Sequence, residues 1–223
     1  MTERFTFDVG THGETTAVVY RAKEPMQTTV ILGHGAGAPQ SHPFMIDMAT
    51  RLAERGMDVV TFDFLYMTRG KKLPDRNEIL EATWHAAIAA TRARGGLPTE
   101  RLFIGGKSMG GRIATQVAAE RNVRIAGLVL LGYPLHPLKK PQLRRDAHLP
   151  RIAVPMLFVQ GTRDALGTAK ELKLLAKKLP RASVHVVEGG DHSLGLPRSE
   201  GKDAQEHALA LAAKAIAAFV RKR

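Results

Sequence analysis

Along the chain, short runs rich in Val, Ile, Leu and Phe alternate with longer segments in which apolar residues return every three or four positions. The first pattern suits strands covered on both faces and the second suits amphipathic helices, so their alternation predicts a mostly parallel sheet between two helix layers. Residues 29–33, 58–64, 101–105, 127–132, 156–161 and 183–187 are expected as buried strands, and residues 15–20, which alternate, as an antiparallel edge. Helices are expected over 43–55, 78–94, 108–120, 168–179 and 203–221. Gly56 and Gly95-Gly96 close the first two and Pro180 follows the fourth, as helix ends favour. The fold class expected is α/β, and 223 residues suffice for one hydrophobic core, so a single domain over 1–223 is the expectation.

One segment breaks the alternation. Tyr133-Pro134-Leu135-His136-Pro137-Leu138-Lys139-Lys140-Pro141 carries three prolines, which neither a helix interior nor a central strand accepts. It is read as a loop, and the roughly twenty residues between the flanking strands leave little room for a lid domain. Composition narrows the classes further. With 44% hydrophobic and 24% charged residues the chain is neither disordered nor fibrous. It has no cysteine, so disulfides, iron–sulfur clusters, thiolate zinc sites and a cysteine nucleophile are excluded. Residues 1–5 lead into alternation rather than an apolar leader, and runs such as Leu128-Val129-Leu130-Leu131 fall far short of the roughly 20 residues of a membrane span. A cytoplasmic protein with no membrane contact is the expectation.

The strongest chemical signal is Gly105-Gly106-Lys107-Ser108-Met109-Gly110-Gly111, a Gly-x-Ser-x-Gly between an apolar strand and a helix pattern. A serine at such a sharp turn takes a strained backbone that lifts its hydroxyl off the sheet edge, and glycines at 106 and 110 supply the clearance. The alternative for Ser108 is an ordinary helix N-cap. Three further features favour a nucleophile. Gly33-His34-Gly35-Ala36-Gly37 follows a strand where a second oxyanion donor is expected, with Ala36 N–H beside Met109 N–H as the candidate pair. This loop lacks the glycine pattern of a nucleotide site. Gly161-Thr162-Arg163-Asp164 puts a carboxylate just beyond a strand's C-terminal end, where open α/β sheets carry their sites. Glu188-Gly189-Gly190-Asp191-His192-Ser193 brings an imidazole to the same edge.

Several other polar residues near these motifs admit rival roles. Asp191, adjacent to His192, is read as a loop or capping group, and Asp63 is the alternative acid to Asp164. His34, Lys107 and His136 are candidate substrate contacts, although His34 suits bracing its turn and His136 suits packing its loop. His12, His42, His85, His148, His185 and His207 show no metal-ligand spacing, and no metal or cofactor is expected.

The order Ser108, Asp164, His192 resembles that of the α/β-hydrolase superfamily over essentially the whole chain. Gly-Lys-Ser-Met-Gly-Gly-Arg at 106–112, Gly-Tyr-Pro-Leu-His-Pro at 132–137 and Gly-Thr-Arg-Asp at 161–164 resemble the branch typified by the NSL complex subunit three and testis-expressed protein thirty, often described as dienelactone-hydrolase-like. Dienelactone hydrolases proper use a cysteine nucleophile, so their own activity is not implied. The segment after Pro137 also departs from the branch, reading Leu-Lys-Lys-Pro in place of a Pro-Gly pair. The resemblance implies a mostly parallel sheet with helices on both faces, no separate lid, and a serine hydrolase using Ser108, Asp164 and His192 on small carboxylic esters or thioesters. A hydrolase fold serving as an interaction module is the competing function, since fold alone does not fix activity.

Charge adds one more expectation. Lys and Arg number 33 against 21 acids, a formal +12, and residues 139–181 hold eleven Lys or Arg against three acids. No nucleic-acid-binding signature accompanies this excess, so no specific nucleic-acid partner is expected. The excess reads as a solvated basic surface, with an anionic ester or thioester as the sharper alternative. Oligomeric state is not legible in the sequence.

Overall fold

The computed structural model describes residues 2–223; Met1, where the leader question begins, lies outside the described residues. In chain order the elements are β1 (Thr2–Asp8), β2 (Glu14–Tyr20), β3 (Thr29–Gly33), α1 (Pro43–Ala53), β4 (Asp58–Phe62), α2 (Leu65–Thr68), α3 (Asn77–Ala93), β5 (Leu102–Lys107), α4 (Met109–Ala119), β6 (Gly127–Leu131), β7 (Met156–Gly161), α5 (Ala169–Ala176), β8 (Ala182–Val187) and α6 (Gly201–Arg221). The eight strands form one sheet in the order β1-β2-β4-β3-β5-β6-β7-β8. The pairs β1–β2 and β2–β4 are antiparallel and the remaining five are parallel.

The apolar runs read as buried strands bury alternate residues on opposite faces. Ile31, Val60, Phe62, Ile104, Leu128, Leu130 and Phe158 face a core closed by α3, α4 and α5. Val30, Leu32, Val59, Phe103, Val129, Leu131 and Val159 face a second core closed by α1 and α6. Helix phase follows the same logic: α6 buries Ala212, Ala213, Ile216, Phe219 and Val220 on one stripe.

Two strand expectations need correction. The 15–20 strand is antiparallel but is not the edge, because β1 pairs with it along its full length from Thr2–Tyr20 to Asp8–Glu14. The 183–187 strand is not buried; as β8 it closes the opposite edge, and of its residues only Val187 is buried. The 58–64 strand stops at Phe62 and turns into the one-turn α2. Between β6 and β7 the Pro-rich segment runs as loop, with one short 3₁₀ turn at Leu149–Arg151, and no lid domain interrupts the sheet.

Trp84 on α3 underlies the ends of β3 and β5. It is fully buried, packs edge-on against Phe62 with ring centroids 4.8 Å apart, and its indole Nε1–H donates to Gly110 O at 3.2 Å. A Cβ at Gly33 would lie 2.9 Å from its ring. Trp84→Ala is expected to cost about 3–5 kcal/mol of stability through the cavity it leaves. Urea denaturation checks this, and a loss below about 1 kcal/mol would contradict the support role.

Candidate active site

The C-terminal ends of β3, β5, β7 and β8 bring the chemistry to one edge. β5 ends at Lys107, and Ser108 follows with φ 50° and ψ −114° before α4 begins at Met109. A left-handed φ on a residue with a Cβ costs about 1–3 kcal/mol and persists only where surrounding structure enforces it. Here Ser108 N–H donates to Leu131 O at 2.9 Å and Ser108 O accepts Arg112 N–H at 2.9 Å, tying the residue to strand and helix at once. The turn also needs bare backbone on both sides: a Cβ at Gly106 would come within 2.0 Å of Gly33 O, and one at Gly110 within 2.2 Å of the same atom.

Ser108 Oγ lies 2.8 Å from His192 Nε2. On the other side of the ring, Nδ1 lies 2.9 Å and 3.0 Å from the two carboxylate oxygens of Asp164. A carboxylate only accepts, so the proton of the neutral ring belongs on Nδ1, leaving Nε2 free to accept the serine hydroxyl proton. Asp164 is fully buried and its other lone pairs are occupied: Leu166 N–H donates to Oδ1 at 2.8 Å and Gln160 Nε2–H to Oδ2 at 2.8 Å. Gln160 is itself locked, giving its other amide proton to Gly167 O at 2.6 Å and accepting Tyr133 N–H at 2.8 Å. Gln160 belongs to none of the sequence motifs that mark this site. Its signal was a lone polar residue closing the apolar run Met156-Leu157-Phe158-Val159, four positions before Asp164.

Ala36 and Met109 border the space beside Ser108 Oγ. Met109 is the first residue of α4, whose N–H has no partner within the helix and points along the positive end of its dipole. Lys107 is buried, and its Nζ donates to the backbone carbonyl of His192 at 2.6 Å. Among the described residues it has no carboxylate within ion-pair distance.

Burial pushes the Lys107 ammonium down to about 8 from its ordinary 10.5, against the opposing pull of Asp164 and Asp191. Between these values the unfolded chain holds a proton that the folded chain has lost, so stability contributed at this site rises as pH rises from 8 toward 10.5. Below pH 8 the buried charge is a cost. Lys107→Met is expected to flatten the dependence of unfolding free energy on pH between 8 and 10, followed by urea titration at each pH; equal slopes in both proteins would refute the assignment.

The other candidates lie elsewhere. His34 is corrected from a substrate contact to a brace: it is fully buried, its Nδ1–H donates to Gly35 O at 2.7 Å, and its Nε2 accepts Phe64 N–H at 3.0 Å. Because Nε2 accepts, the ring is neutral, and the 3.7 Å approach of Asp63 is not an ion pair. Burial also pushes its pKa down. His136 is likewise corrected. It is buried under its loop with Nε2 at 3.3 Å from Glu171, Nδ1 at 3.0 Å from Pro137 O, and no share in the space around Ser108. Asp63 binds Gln40 N–H at 2.7 Å and its side-chain amide at 3.0 Å rather than His192. Asp191 accepts Ser193 N–H at 2.7 Å and Gly195 N–H at 2.8 Å, shaping the turn that carries His192.

Two clefts flank Ser108 and share only Ser108, Ala36 and Leu166. One, of about 330 Å³, runs past His192, Lys107, His42, Phe44 and Met45. The other, of about 360 Å³, runs past Met109, Arg112, Arg145, Asp75 and Asn77. Among the described residues, three or more metal-ligating side chains are nowhere gathered, and no helix is long and apolar enough to cross a membrane.

Residues 26–221 match the family model described as alpha/beta hydrolase domain, and the chain belongs to that family. Solved structures share its fold at low identity. An esterase domain from Rhodothermus marinus superposes with a TM-score of 0.73 at 15% identity, covering 100% of this chain and 98% of its own. A serine hydrolase without a lid from Xanthomonas campestris gives 0.70 at 18% identity, covering 93% of each chain. A dienelactone hydrolase from Anabaena variabilis gives 0.71 at 17% identity, covering 96% of this chain and 95% of its own.

Proposed function

We propose that this protein is a serine hydrolase that cleaves small carboxylic esters or thioesters through an acyl-enzyme. The observation that carries the reading is the continuous hydrogen-bonded line from Ser108 Oγ through His192 to buried Asp164. In the first half-reaction Ser108 Oγ bonds to the acyl carbon as its proton passes to His192 Nε2. The oxyanion is held by the N–H groups of Met109 and Ala36. Collapse breaks the bond to the leaving oxygen or sulfur, which takes the proton from His192. Water then attacks the acyl-serine, His192 accepts its proton and returns it to Oγ, and the carboxylic acid departs. Asp164 holds the tautomer and stabilises the imidazolium.

Small substrates fit the two short clefts and the absence of a covering domain. The whole chain is read as one domain acting in the cytoplasm, within the branch resembling the NSL complex subunit three and testis-expressed protein thirty, and without a cofactor. A fluorophosphonate probe combined with an acyl-length series of p-nitrophenyl esters tests this. The expected result is stoichiometric modification confined to the peptide carrying Ser108 and hydrolysis that declines from acetyl and butyryl toward palmitoyl. Absence of both labelling and turnover would leave an interaction module instead.

A further inference from the structure

The two clefts beside Ser108 are not equivalent, and their difference bears on which half of the substrate each receives. This step rests on the serine-hydrolase reading: His192 must hand its proton to the leaving atom, so the leaving group belongs in the cleft that His192 lines, and the acyl group extends into the other. That second cleft is lined by two half-buried guanidinium groups, Arg112 and Arg145. Among the described residues neither pairs with a carboxylate, and the one side-chain bond found for Arg112 is from Nη1 to Gln116 Oε1 at 3.0 Å.

The arrangement is electrostatically unfavourable on its own. Arg112 stands in the first turn of α4, where the helix dipole already presents positive charge. Burial, and then the neighbouring Arg145, push its pKa down. The carboxylates nearby do not neutralise the pair. Asp146 is taken by Arg144, and Glu81 influences Arg112 only from beyond ion-pair distance. Asp75 lines the same cleft with a buried Oδ2 that has no hydrogen-bond partner. Two arginines and one aspartate leave the cleft with one net positive charge, which matches a singly charged group better than a phosphate dianion.

We propose that the acyl portion of the substrate carries a free carboxylate, bound by Arg112 and Arg145 in the cleft on the far side of Ser108 from His192. A dicarboxylic acid esterified at one end has this form, and Asp75 Oδ2 is placed to accept a hydroxyl or amide proton from the linker. Planar guanidinium forks suit a carboxylate, and the half-buried setting limits the screening that would weaken the contact at the surface.

Equilibrium binding to Ser108→Ala protein tests the site without turnover. Three ligands of similar size serve: the p-nitrophenyl monoester of glutaric acid, neutral p-nitrophenyl valerate, and 4-carboxyphenyl valerate, whose charge is on the leaving group. The glutarate monoester is expected to bind about tenfold more tightly than the neutral ester, the scale of a charged hydrogen bond. Adding either Arg112→Gln or Arg145→Gln is expected to bring that ratio toward one, and raising salt to shrink it in the protein retaining both arginines. Equal binding of the first two ligands, a preference for the charged leaving group, or a preference that survives both replacements would overturn the site. Circular dichroism identifies a variant that fails to fold, and the salt titration then decides. Turnover is scored separately on the protein with Ser108 intact. Binding preference without turnover removes the hydrolase reading and keeps the carboxylate site; turnover without preference does the reverse.

Discussion

Ser108→Ala is expected to lower ester hydrolysis by at least about 10⁴-fold, and by as much as about 10⁶-fold if water cannot substitute for the nucleophile. The change removes Oγ and keeps Cβ, so the turn that holds φ at 50° keeps the same backbone demand and the fold is retained. His192 Nε2 then faces the cleft with no hydroxyl within reach. Steady-state assays on p-nitrophenyl acetate with matched circular dichroism measure the effect. Turnover within tenfold of the unmodified protein would refute Ser108 as nucleophile, and labelling elsewhere in the chain would locate the true one.

Asp164→Asn is expected to cost about 10⁴-fold in kcat with a smaller change in KM. The amide donates where the carboxylate accepted, so His192 is driven to carry its proton on Nε2, which then donates to the serine oxygen and can no longer accept the hydroxyl proton. This site adds a second penalty. Leu166 N–H and Gln160 Nε2–H each donate to a different oxygen of Asp164, and an asparagine can satisfy only one of them with its single oxygen. The other donor stays buried and unpaired, at about 1–3 kcal/mol of stability. Kinetics and denaturation on the same preparation read both effects. A fall in stability with full activity would make Asp164 a structural residue only.

The interior strands were legible because burial on both faces leaves nearly continuous apolar runs, interrupted only by Thr29 in Thr29–Gly33 and by Asp58 and Thr61 in Asp58–Phe62. The edges were not. β1 carries Glu3, Arg4 and Asp8 among its residues, and β8 carries Ser183 and His185, so neither composition reveals which strand lacks a neighbour. Alternation at residues 15–20 marked one exposed face, and only the pairing with β1 decides that β2 is inside the sheet. The chemistry followed a similar division. Gly-x-Ser-x-Gly between a strand and a helix marks a backbone shape, and that shape stands at Ser108. Lys107 acts through a hydrogen bond that closes across 85 residues of chain, which spacing along the sequence does not disclose, whereas Gln160 stands four positions from Asp164 with only its polarity in an apolar run to mark it. Charge shows the same limit. The basic stretch from 139 to 181 supplies Arg145 to the second cleft, but its partner Arg112 comes from α4, outside that stretch.

The bond from Lys107 Nζ to His192 O closes a ring of contacts: Lys107 precedes Ser108 in the chain, its ammonium grips the backbone of His192, and the imidazole returns to Ser108 Oγ. Hydroxyl and imidazole are therefore tied to one frame. A displacement of the loop bearing His192 is expected to draw the strand end bearing Ser108 with it, so that their separation changes less than either position does. In the proposed reaction this second tie would help a site without a lid domain hold the 2.8 Å contact between Ser108 Oγ and His192 Nε2.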